Sequence, residues 1–122
     1  MHTFPSSATL QFLVGEELAQ IALDPFSLQF RFDSGGQITA EGRVEHIDRS
    51  GAVHPFDCQK RLGSAIFLHQ LLQHRIDRVE AEPNCLSLEF DDGAVLRIFS
   101  ELGAYESGQI YPSNTGSGPI VF

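Results

Sequence analysis

Five histidines and a surplus of carboxylates supply the groups in this chain that could hold a metal or move a proton. His46 and His54 fall on the two arms of a hairpin predicted over Gly42 to Phe56, "GRVEHIDRSGAVHPF", with Glu45 beside the first. Two imidazoles and a carboxylate suit a divalent transition metal if the strands bring all three together. Exposed strand residues would show the same spacing. We therefore expect no bound metal, and name His46 and His54 as the residues that would hold one. His69 and His74 would point about 140° apart on a helix and cannot share an ion.

The stretch "HPFDC" gathers His54, Asp57 and Cys58. A thiol nucleophile needs an imidazole within hydrogen-bond reach and a third group to orient it. Proximity along a non-helical stretch does not arrange that, so Asp57 reads as a turn residue and Cys58 as a small apolar filler. The pairs Glu16–Glu17, Asp91–Asp92 and Glu80 with Glu82 lack the contrasting environments that acid–base catalysis requires. "DSGGQ" and "NTGSGP" contain glycine, but neither leads a strand into a helix with phosphate-binding spacing. The expectation is a protein without catalytic residues or a cofactor.

Composition narrows the partners. The net charge is −8, and the 8 Lys and Arg residues are scattered among 16 acids. Nucleic acid binding needs clustered cations against phosphates, so neither DNA nor RNA is expected, nor is an anionic membrane. Cys58 and Cys85 form no C-x-x-C pair, the start lacks a basic segment followed by an apolar run, and no stretch is long enough to span a bilayer. A cytoplasmic location with reduced thiols is expected.

The elements that would position these groups are read from a repeat. Leu18 to Gly42 lies over Ile76 to Ser100 without a gap, at an offset of 58 residues. Pro25 and Pro83, Leu28 and Leu86, Phe32 and Phe90, Asp33 and Asp91, and Gly35 and Gly93 are identical. Each copy reaches an acid–Pro turn, then a strand alternating apolar and polar residues, then a glycine turn, then a third strand. Each is thus predicted to be an antiparallel three-stranded meander.

Between the copies, Ser64 to His74 reads as a short helix with Ser64 as N-cap. After them, Ser107 to Tyr111 and Pro119 to Phe122 read as short strands. The expected fold is mainly β (α+β), one domain over residues 10–122. In it, two pseudo-repeated meanders form a curled sheet, roll or half-barrel with one short helix. Residues 1–9 are expected to be loosely ordered.

The order of elements resembles a family of small uncharacterised bacterial proteins, a domain of unknown function. The resemblance rests on Val14-Gly15 with Leu18, Phe32 with Gly35, the leucine-rich segment Ser64 to His74, the L-x-L-x-F-x-D-G hairpin of Leu86 to Gly93, and Tyr105-Glu106 followed by Ile110. Many members follow Tyr-Glu with Ala-Trp, whereas this chain has Ser107-Gly108. The resemblance implies a fold and no activity.

What remains points to binding. Tyrosine suits contact surfaces, so Tyr105 and Glu106 are candidates. Glu80, Glu82, Glu89 and Asp92 would steer a basic protein, with a local aromatic or aliphatic anchor supplying affinity. We expect a non-enzymatic protein-binding domain, an immunity-like inhibitor in its sharpest form. The alternative is a small-molecule binder with an apolar pocket in the curled sheet. A homodimer through an exposed meander edge is also compatible.

Overall fold

The computed structural model describes residues 3–100, 107–112 and 118–122. Strand order follows the predicted meanders: β1 (Leu18–Asp24), β2 (Ser27–Phe32) and β3 (Gln37–Ala40) form the first, and β7 (Ile76–Glu82), β8 (Cys85–Phe90) and β9 (Val95–Phe99) the second. Between them run β4 (Arg43–Ile47), β5 (Val53–Asp57) and β6 (Leu62–Gly63), and after them β10 (Gly108–Tyr111) and β11 (Ile120–Val121). Two antiparallel sheets result, in the orders β1-β2-β3-β10-β11 and β6-β5-β4-β9-β8-β7. Neither closes into a barrel. The fold is mainly β and curled, as expected.

The meanders are built by alternation. Leu28, Phe30 and Phe32 on β2, and Leu86, Leu88 and Phe90 on β8, are buried and merge into one core with Ile38, Leu96, Ile98 and Phe122. Burying so much apolar surface is the main force holding the two sheets together.

The repeat runs further than the meanders. After β3 the chain crosses to the second sheet, where β4 pairs with β9. After β9 it crosses to the first, where β10 pairs with β3. Reciprocal backbone bonds lock the exchange. Gly15 N–H donates to the Ile76 carbonyl and Gln73 N–H to that of Leu18, both at 2.7 Å. Leu18 N–H donates to His74 and Ile76 N–H to Glu16, both at 3.0 Å. Glu17 and Arg75, equivalent residues, bridge each other. Such mutual pairing is the signature of a pseudo-twofold.

Two expectations are corrected. Ser64 to His74 is not an α-helix: only Ile66–Leu71 is helical, and as a 3-10 turn whose N-cap, Ala65, makes no side-chain cap bond. Its buried residues Leu68 and Leu71 are three apart, the spacing that stacks in a 3-10 helix. Extended Leu72 and left-handed Gln73 (φ 69°) then end it. A matching 3-10 turn, Gln11–Leu13, precedes β1 and buries Leu10 and Leu13 at the equivalent positions.

From Phe4 onward the N-terminal segment is anchored to the second sheet, not loose. Phe4 is buried and stacks on Phe122 with ring centroids 4.3 Å apart. Its N–H donates to the Pro83 carbonyl, and Ala81 N–H donates to Ser7 Oγ at 2.8 Å.

Candidate functional site

Two surfaces collect the side chains singled out above. The first is the outer face of the second sheet. Strand alternation sends Glu80 and Glu82 from β7, and Ser87 and Glu89 from β8, to the side away from the core. Together with Cys85, Arg97 and Phe99, the residues Glu80, Glu82 and Ser87 line a concavity of about 350 Å³. The Arg43 guanidinium lies 4.1 Å from the centre of the Phe99 ring. Arg78 pairs with Glu80, and Arg97 lies 3.9 Å from Glu45. The face therefore alternates in sign, with Glu80 and Glu82 on β7 and the Phe99 ring, under Arg43, two strands away. Asp92 does not belong to it.

The second surface is the end of the same sheet where two hairpin turns meet. His46 and His54 are direct cross-strand partners, with ring centroids 5.7 Å apart. Glu45 cannot be their third ligand, because it alternates to the opposite face beside Arg43 and Arg97. His54 instead reaches Asp48, Nε2 to Oδ2 2.9 Å, and stacks on Phe67 at 4.2 Å. His46 is 1 % exposed, and among the described residues neither of its ring nitrogens has a hydrogen-bond partner. Burial, and next the neighbouring His54, push the His46 imidazole below its usual basicity. Hydrogen bonds from Ser50 and then His54 hold the Asp48 carboxyl well below the ordinary carboxylate range.

Next to this pair sits a group that the sequence reading did not assemble. His74 Nδ1 lies 2.6 Å from Asp91, and Nε2 lies 3.7 Å from Asp92. The three ligand atoms fall within 4.8 Å of one another, a spacing a divalent ion could use. Yet every group is already engaged. Asp91 accepts from Arg75 N–H, Asp92 accepts from Ala94 N–H, and Arg49 lies 3.9 Å from Asp92. The cluster ties the β8–β9 turn to the end of the 3-10 segment, as Glu16 and Ser34 do at the equivalent place in the first repeat. The bond from His74 lowers the Asp91 carboxyl.

A third surface was not anticipated. Ile21 and Leu23 of β1 lie on the inner side of their strand, opposite Phe30 and Leu28. They border a groove of about 220 Å³ with Ala65, Ile66, Leu68, His69 and Leu72. Leu23 is 66 % and Ile66 76 % exposed. The available signal was the alignment of Leu23 with Ala81: a large apolar residue stands where the other repeat has a small one.

Tyr105 and Glu106 lie outside the described residues. Cys58 is buried and its thiol is pushed up to about 11, chiefly by burial, while Cys85 is also raised, chiefly by burial. Neither supplies a thiolate near neutrality. Among the described residues, no helix is long and apolar enough to cross a membrane. In comparisons with known proteins the chain matches no family model, no curated protein and no solved structure.

Proposed function

We propose that this chain is a non-enzymatic binding domain whose partner is a basic protein, in the manner of an immunity-type inhibitor that covers the partner's surface. The observation that carries this reading is the concave outer face of the second sheet, lined by Glu80 and Glu82 of β7 and, across β8, by Phe99 of β9. A lysine or arginine entering there meets Glu82 and, by displacing Arg78 and Arg43, the Glu80 carboxylate and the Phe99 ring, the combination of charge steering and aromatic anchor on which such contacts depend. Glu89 extends the acidic rim, and the net charge of −8 draws basic molecules toward the whole surface. The alternative, a small-molecule binder, has the β1 groove as its only support among the described residues.

The test is a photo-cross-linking side chain at Ser87, introduced into the protein made in its native host. One discrete adduct is expected, weakened by added salt and lost when Glu82→Lys is combined with it. No adduct, or one indifferent to both salt and Glu82→Lys, overturns the reading. Self-association elsewhere on the molecule leaves this result untouched.

A further inference from the structure

The two sheets each expose an edge strand from equivalent parts of the repeat, and the two edges are finished differently. Along β7 and the turn after it, several outward backbone groups are engaged by the N-terminal segment. Phe4 N–H donates to Pro83 at 3.0 Å, Ser7 Oγ accepts from Ala81 N–H, and Gln11 Nε2 donates to the Val79 carbonyl at 3.3 Å. The strand also carries Asp77, Arg78, Glu80 and Glu82, charges of the kind that keep an edge from pairing with another molecule.

β1 has neither protection. Among the described residues, no hydrogen bond reaches the corresponding Pro25 carbonyl, Leu23 amide or Ile21 carbonyl. The chain that would cover them is drawn off, because Leu62 and Gly63 pair with β5 instead. Ala65 also stands where the other copy has the Ser7 hydroxyl. In "LAQIALD" the sole charge is Asp24, at the end. A neutral, apolar edge whose outward groups at Ile21, Leu23 and Pro25 make no hydrogen bond with the described residues is, in so acidic a chain, where two copies can meet with least repulsion.

We propose that β1 pairs antiparallel with β1 of a second copy, forming a twofold dimer whose first sheets run on as one. The hairpin closes with Asp24 opposite Ser27, so the ladder to β2 uses Asp24, Ala22 and Gln20, and Ile21 and Leu23 point their backbone groups outward. A twofold axis at Ala22 sets Ile21 opposite Leu23 of the second copy, and Leu23 opposite its Ile21. Each of these pairs exchanges two backbone hydrogen bonds. Gln20 then faces Asp24 of the second copy, a carboxamide against a carboxylate. The side chains of Ile21 and Leu23 close over both grooves, covering Ile66 in each copy.

Sedimentation equilibrium across a hundredfold concentration range tests this. The wild type is expected at twice 13.5 kDa. Ala22→Lys, which sets two like charges on the axis at a half-buried position of the outer face, should weaken the dimer at least tenfold. Ala22→Glu should do the same, and an equimolar mixture of the two variants should dimerise again. Leu23→Pro, which removes an outward donor but none that bonds to β2, should leave a folded monomer. A wild type that stays monomeric at hundreds of micromolar overturns the proposal and leaves the groove to another occupant. A dimer that none of these variants weakens overturns it too, because the contact then lies elsewhere.

Discussion

Residues 8–42 and 66–100 trace nearly the same path, down to equivalent bulges in β1 and β7 and equivalent left-handed residues at Gly15 and Gln73. Their surfaces nevertheless diverge. The outer face of the first sheet is a neutral network in which Arg31 donates to Gln20, Gln29 and Gln37. That of the second is a ladder of Glu and Arg. The crossing strands diverge too. Opposite Ala40, β10 places Gly108, whereas opposite Ile98, β4 places Val44. Opposite Ile38 stands Ile110, whereas opposite Leu96 stands His46. Backbone geometry tolerates little change in such a reciprocal fold, while side chains are free to specialise wherever the core still fills. Each half is thus a control for the other.

The largest effect should come from giving β10 the residue of its counterpart. A side chain on Gly108 would run into the Thr39 carbonyl and the Phe122 ring. Gly108→Val is expected to cost about 3 kcal/mol or more in urea unfolding. A variant of unchanged stability would mean that Phe122 does not seal this end of the core.

The converse exchange should stabilise. His46→Ile installs the residue of the equivalent Ile110 and removes two unpartnered ring nitrogens from the interior. A gain of about 2 kcal/mol at neutral pH is expected by the same measurement. A loss would show that the imidazole has a role that packing does not reveal.

The pH dependence separates the halves further. The unfolded chain protonates His46 near its ordinary 6.5, while the folded chain resists. Stability should therefore be full above about pH 6.5 and decline as pH falls below it, with a slope of up to about 1.4 kcal/mol per pH unit. His46→Ile should abolish that limb. A second decline at lower pH should persist in both proteins. The lowered carboxyls of Asp48 and Asp91 contribute stability above their ordinary 3.8, and it is lost as pH falls through their folded values. Urea midpoints from pH 8 to 3 would show both limbs, and a single shared limb would contradict the assignment to His46.

The smallest effect concerns Gln73, a left-handed residue where the first repeat has Gly15. Gln73→Gly relieves backbone strain but loosens the unfolded chain, for a net gain of no more than about 1 kcal/mol. A clear destabilisation by thermal melting would show that the Gln73 side chain holds the seam together.

Much of the fold could be read from residues 18–42 and 76–100, since period-two alternation and acid–Pro and Asp–Gly turns are local signals. In the sequence the 3-10 turn reads as a helix, because apolar residues at three- and four-residue spacings suit both, and only packing against β1 decides between them. The His46–His54 encounter followed from hairpin register. The engagement of Asp48 did not, nor did the approach of His74 to Asp91 and Asp92, which depends on how the repeats dock.

By itself, the sequence determined the strands, their turns, their inward faces and the existence of two related halves, all of which follow from short-range sterics and hydrophobic alternation. Only the tertiary structure decided that each half lends its last strands to the other's sheet, that described residues hydrogen-bond along one edge and not along the other, and that a histidine is sealed where its counterpart is isoleucine. These outcomes rest on contacts between residues far apart in the chain, whose energies no local pattern encodes.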